Sequence, residues 1–261
     1  MLGGRLARRL LTSVSRRLPF PVAMTISREL MRAQGFGSGE RVDASGEMAV
    51  LEHIRSDRPV LFDVGGHLGD YTDAFLRRFP DGRAFIFEPA TSHLARLQKR
   101  FSGHAATTLF PFGLSDAAAS LPLFKDAEVT VLASLTRRQL DHIGITMEAA
   151  EMVEVRTLDS VVDEHAIASI DLLKIDVEGH ELQVLNGARR TLERGIIRLV
   201  QFEFGGCNLD THTTLRQFYT FFQQFGFEIM LVQPSGRLQP IKAYDEFYEH
   251  YRTTNFVARP A

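Results

Sequence analysis

Short apolar runs and longer stretches with helical spacing alternate along most of this chain. "PVLFDVG" (59–65), "RAFIFEP" (83–89) and "ATTLFPFG" (106–113) read as buried strands. Between them, "DYTDAFLRRF" (70–79), stopped by Pro80 and Gly82, and "SHLARLQKRF" (92–101) read as helices. The pattern loosens over residues 117–157, where "ASLPLFKD" (119–126) and "VEVRTLDSVV" (153–162) suggest short strands around an irregular insert. Alternation then resumes with strand "IDLLKIDV" (170–177), helix "ELQVLNGARRTLERG" (181–195) and strand "IIRLVQFEFG" (196–205). Helix "TLRQFYTFFQQFG" (214–226) and strands "FEIMLVQ" (227–233) and "NFVARP" (255–260) follow, the last two as an antiparallel edge. Repeated strand–helix–strand order predicts an α/β fold, a mostly parallel sheet with helices on both faces.

Residues 32–47, "RAQGFGSGERVDASGE", read as a loop that divides a basic helical appendage (1–47) from the main domain (48–261). The appendage carries Arg5, Arg8, Arg9, Arg16 and Arg17 with no acid before Glu29, and Leu6, Leu10 and Leu11 near helical spacing. Three readings stay open: an ordinary surface helix, a basic amphipathic helix on an anionic membrane, or a transit peptide. No run is long and apolar enough to span a bilayer, so the chain is expected in the cytoplasm, with membrane contact restricted to that helix. A net charge of −2 offers no basic face for nucleic acid. One cysteine, Cys207, excludes an internal disulfide and multi-cysteine metal sites; it is expected to be a small buried residue.

The chemistry concentrates in two places. In "LFDVGGHLGDYT" (61–72) a strand ends in Asp63, and Gly65, Gly66 and Gly69 then permit a tight turn into a helix. A phosphate loop would need a lysine and a hydroxyl after the last glycine, and neither is present. A dinucleotide fingerprint would need glycine at Val64, and Asp63 would face the pyrophosphate. S-adenosylmethionine fits better, because its ammonium and sulfonium suit a carboxylate and the glycine-turn amides can take its carboxylate. Glu88, about 20 residues on at the end of the second strand, stands where an acid bonds ribose hydroxyls.

The second place is "LLKIDVEGHELQVLNGA" (172–188), where Lys174, Asp176, Glu178, His180 and Glu181 cluster in or after a strand of Leu and Ile. Charges there need partners or a ligand. Asp176 and Glu178 alternate with Ile175 and Val177 and so share one side of the strand end.

"KIDVEGHELQVLNGA", "FDVGGHLGDYT" and "IFEPATSHLARL" together resemble the FkbM family of S-adenosylmethionine-dependent methyltransferases, over roughly residues 58–258. The resemblance implies a Rossmann-like class I methyltransferase sheet of seven strands, the last antiparallel. It also implies methyl transfer to a hydroxyl oxygen on a sugar, glycan or natural product. It places Asp63, Gly65, Gly66, Gly69 and Glu88 in the cofactor pocket, with Ser115 and Asp116 of "GLSD" beside the adenine. Asp176 and Glu178 would face the sulfonium and the acceptor. Many members carry Ala-Asn where this chain has Gly66-His67. A base must take the hydroxyl proton: His180 by its ordinary pKa, or Asp176 or Glu178. A metal-free site is preferred, and a cation site of Asp176, Glu178, His180 and Glu203 is the alternative. Two other classes remain to be separated, a nicotinamide-dependent oxidoreductase and a partner-binding protein with a degenerate pocket.

Overall fold

The computed structural model describes residues 12, 13, 15–39 and 45–261. The helix read from Leu6, Leu10 and Leu11 lies outside them. A helix α1 (Phe20–Ala33) and a 3₁₀ segment (Glu47–His53) precede the first strand. The main sheet then has eight strands in the order β10-β9-β11-β8-β7-β1-β2-β3. Its parallel part comprises β1 (Val60–Val64), β2 (Arg83–Phe87), β3 (Thr107–Phe110), β7 (Leu172–Ile175) and β8 (Val200–Phe204). Strand β11 (Thr254–Pro260), the last in the chain, runs antiparallel to its neighbours, as the resemblance implies. It is not an edge strand: it inserts between β8 and β9 (Phe227–Val232) and pairs antiparallel with both. The eighth strand is β10 (Leu238–Pro240), a short hairpin return on the outer side of β9.

The loose stretch folds into a second sheet, β4 (Gly113–Leu114), β6 (Glu148–Arg156) and β5 (Ala119–Lys125) in that order. The single strand expected over 106–113 is therefore split between two sheets at Pro111, which has no N–H for a ladder. "TLDSVV" is not strand. Thr157 accepts from the Ser160 amide and caps α4 (Leu158–Glu164), so β6 stops at Arg156. The helix expected over 181–195 is broken into α5 (Glu181–Asn186) and α6 (Arg189–Glu193). The break falls at Gly187, where a Cβ would lie 2.0 Å from the Ser115 carbonyl oxygen.

Strand alternation distributes the core. Phe62, Val64, Leu173, Ile175, Phe202 and Phe204 face α4, α5 and α8 (Leu215–Gln224), which the Thr214–Gln217 capping box starts. Leu61, Ala84 and Leu172 face α2 (Asp70–Arg78) and the 3₁₀ segment on the other side. On that second face Asp63, Lys174 and Gln201 stand side by side in register across β1, β7 and β8. A polar row crosses an otherwise apolar surface, and it ends at the crevice.

The crevice follows from topology. The chain runs β1–β2–β3 one way and returns to place β7 on the other side of β1, so strand order reverses at β1. Phe202 is fully buried and packs on Phe218 at 4.8 Å and Phe256 at 5.6 Å. Phe202→Ala should cost about 3–5 kcal/mol of stability, measured by denaturant unfolding, because it opens a cavity between sheet and α8.

Candidate active site

Gly65 sits at φ +83°, and a Cβ there would lie 1.9 Å from the Asp176 carbonyl oxygen. The turn after β1 thus passes directly against the end of β7, which only glycine permits. Gly65 and Gly66 both donate their amides to the Phe87 carbonyl, at 2.9 and 3.2 Å, and the His67 amide donates to Glu88 Oε2 at 2.8 Å. These amides tie the turn to β2 and are not turned toward a ligand, unlike the expectation for a glycine loop. Gly69 serves packing: a Cβ would meet the Phe101 ring at 2.5 Å.

Over this turn lies a cavity of about 600 Å³. Its lining carries seven carboxylates (Glu47, Asp63, Asp70, Glu88, Asp176, Glu178 and Glu203) and one ammonium, Lys174. Apolar walls come from Phe87, Leu114 and the insert residues Leu123, Val131, Leu132 and Leu135. Ser134 closes the insert onto β7 by donating to the Glu178 carbonyl at 2.8 Å.

Lys174 is buried beneath the acids, 3.1 Å from Asp176 Oδ2, 3.8 Å from Asp63 Oδ1 and over the Tyr71 ring. Burial opposes its charge, but Asp176, Asp63 and Glu47 outweigh burial and raise its pKa. Asp63 is raised by burial against Lys174's attraction; its Oδ2 accepts from Thr72 at 2.7 Å, and Oδ1 has no hydrogen bond. Tyr71 donates its hydroxyl to Gln201 at 2.6 Å and completes the polar row. Glu88 accepts from the His67 and Ala90 amides, and Thr130 donates to His93 Nε2, which puts the His93 proton on Nδ1, 3.4 Å from Glu88 Oε1. Glu88 Oε2 keeps one lone pair for a ligand, whereas Oε1 faces both the Ala90 amide and His93.

At the far wall, Asp176, Glu178 and Glu203 bring oxygens within 4.8 Å of one another. Glu178, at φ +54°, is paired with Arg138 of the insert at 2.6 Å, and Arg138 also faces Asp210 at 3.8 Å. Burial and then Asp176 push Glu178 up to about 8 against Arg138, and burial with Asp176 and Glu178 holds Glu203 well above the usual carboxylate range. Three acids in one site cannot all ionise cheaply. The trio could ligate a divalent cation, but Asp176 and Glu178 already hold Lys174 and Arg138.

Of the predicted site residues, the fold brings Asp63, Gly65, Gly66, Glu88, Asp176 and Glu178 to one cavity. Gly69, Ser115, Asp116 and His180 are not among its lining residues. His180 Nε2 lies 2.9 Å from Ser115 Oγ, and burial lowers its pKa to about 4. Cys207 is buried, and burial beside Glu181, Glu178 and Glu203 drives its thiol pKa up. Glu47, Tyr71, His93 and Arg138 were not foreseen. Within that motif, Glu181 is held locally by taking the Val177 and Gly179 amides, and Lys174 by Asp176.

The Methyltransferase FkbM domain profile matches residues 63–229. The chain belongs to the FkbM methyltransferase family. The chain is 26% identical over 175 residues to the 2-O-methyltransferase NoeI of Sinorhizobium fredii, covering 62% of this chain and 72% of NoeI. It is 27% identical over 169 residues to the hexuronic acid methyltransferase AglP of Haloferax volcanii, covering 62% of this chain and 65% of AglP. The crystal structure of methyltransferase FkbM from Methylobacillus flagellatus superposes with a TM-score of 0.49 at 17% identity, over 78% of this chain and 44% of that one. Glu47 precedes the matched stretch, yet it lines the same cavity.

Burial, partly offset by Lys174, raises the Glu47 pKa from 4.5 to about 7. The folded protein therefore binds a proton that the unfolded chain releases as pH rises above about 4.5, and stability falls between there and about pH 7. Glu47→Gln removes that dependence. In urea unfolding at a series of pH values, the variant should gain on the wild type by roughly 1–3 kcal/mol across that window and by no more above it.

Proposed function

We propose that this FkbM-family protein transfers a methyl group from S-adenosylmethionine to a hydroxyl oxygen of a sugar or glycan. The observation that carries the reading is the acidic lining of the cavity, seven carboxyl groups against one lysine, crowded enough that several are held partly protonated. A cofactor with an ammonium and a sulfonium relieves that imbalance, whereas the pyrophosphate of a nicotinamide dinucleotide worsens it. The acceptor class rests on the family and on the named activities of NoeI and AglP.

Bound there, S-adenosylmethionine supplies an electrophilic methyl carbon on a good leaving group. Glu88 holds a ribose hydroxyl with the remaining lone pair of Oε2. Asp63, Asp176 and Glu47 surround the position suited to the cationic end, with Lys174 keeping Asp63 and Asp176 in place. The Gly65 and Gly66 amides are already bonded, so the cofactor's carboxylate falls to the amino end of α2, whose first amides have no intrahelical acceptor. Leu123, Val131, Leu132 and Leu135 exclude water from above. Asp176, Glu178 and Glu203 orient the acceptor hydroxyl, and Glu178 or Glu203 takes its proton. A carboxylate lifted toward neutral pH is a far better general base than one at its ordinary value. We assign that role to these acids rather than to His180, which is turned to Ser115.

Calorimetry should show S-adenosylhomocysteine binding, weakened by about 1–3 kcal/mol in Glu88→Ala. Binding of NAD without any response to S-adenosylhomocysteine would sink the proposal.

With S-adenosylmethionine and a panel of sugars, mass spectrometry should detect a 2-O- or other O-methyl product. Glu178→Gln should lower turnover by about 10²-fold or more while S-adenosylhomocysteine binding changes little, and Asp176→Asn should lower both turnover and binding. His180→Ala should stay near wild type. Activity abolished by EDTA and restored by Mg²⁺ would transfer the carboxylate trio to metal binding instead.

A further inference from the structure

Helix α1 contributes no buried residue to the fold. Phe20, Val22, Met24, Ile26 and Leu30 are all exposed, Phe20 at 76% and Leu30 at 64%. At about 100° per residue, Phe20, Ala23, Met24, Ile26, Leu30 and Met31 fall on one half of the helix, and Arg28, Glu29 and Arg32 on the other. Met31, at the carboxyl end, packs partly against the core and fixes where the helix leaves the body. The remaining apolar half is turned outward.

We propose that α1 is an interfacial helix that seats this protein on an anionic lipid surface. Charge selects that occupant over a second copy of the chain. Residues 15–39 hold Arg16, Arg17, Arg28 and Arg32 against the single acid Glu29, and two copies brought face to face would repel. Arg5, Arg8 and Arg9 add to the same sign in the preceding sequence. Length selects the geometry. Fourteen residues rise about 21 Å, short of the ~30 Å hydrocarbon core, so the helix lies in the interface and does not cross it. Among the described residues no helix is long and apolar enough to span a membrane. The helix also leads straight to the cavity. Gly39, six residues beyond its end, lines the cavity and donates its amide to the Thr253 carbonyl at 2.8 Å.

The test is flotation of the full chain with phosphatidylcholine vesicles, with and without phosphatidylglycerol. Binding is expected to the anionic vesicles and to weaken as salt is raised. Phe20→Ser with Leu30→Ser should weaken it about tenfold or more, and Arg16→Glu with Arg17→Glu should weaken it and flatten its salt dependence. Both variants should melt with the wild type, since these side chains are exposed. No binding to anionic vesicles, or binding unchanged in both variants, overturns the proposal. So does a wild-type dimer by light scattering that the Phe20/Leu30 variant dissolves, which would make the face a contact between copies.

Discussion

One buried ammonium organises the centre of this molecule. Lys174 stands in the middle of the sheet, between Asp63 on β1 and the end of β7 at Asp176, under the ring of Tyr71. A lone lysine in that position would lose its proton, and the acids without it would repel one another. Together they form a charged floor that is stable only because each side has the other. Thr72 and Gln201 extend the row, Thr72 donating to Asp63 Oδ2 and Gln201 accepting from the Tyr71 hydroxyl. The same floor fixes the directions of the two strand-end carboxylates that a cationic ligand would meet.

Backbone geometry supplies the second constraint. Gly65 lets the turn after β1 touch the Asp176 carbonyl, so the floor and the turn cannot shift independently. Because the turn's amides bond to Phe87 and Glu88, the loop is held rigidly against β2. The polar groups left facing the cavity are thus mainly side-chain carboxyl groups. The usual picture of glycine-loop amides as an anion cradle does not describe this site.

The insert gives the cavity its second wall. Its small sheet presents Leu123, and the following loop presents Val131, Leu132 and Leu135, while Arg138 reaches past the loop to Glu178. One wall of the cavity and the ionisation of a central acid are therefore set by the same segment. Loops off the carboxyl edge of a sheet commonly vary in this way, because the scaffold beneath does not depend on them.

The sequence by itself determined the alternating α/β order, the two acidic strand ends and the glycine turn between them. Those features depend on local periodicity and on residue types that a buried strand tolerates only near a ligand. It also located Glu88, since an acid closing a strand about 20 residues after the turn has a fixed place in such sheets. Tertiary structure alone decided the rest. Glu47 and Arg138 enter the site from segments with no motif, brought there by packing of the 3₁₀ segment and the insert. His180 looked like a base by its ordinary pKa, but its ring direction depends on the pass of Gly187 against Ser115, a contact between distant stretches. Strand β11 looked like an edge because pairing partners are not written in the strand itself. Its insertion between β8 and β9 is settled only by which neighbours bury Phe256 and Val257.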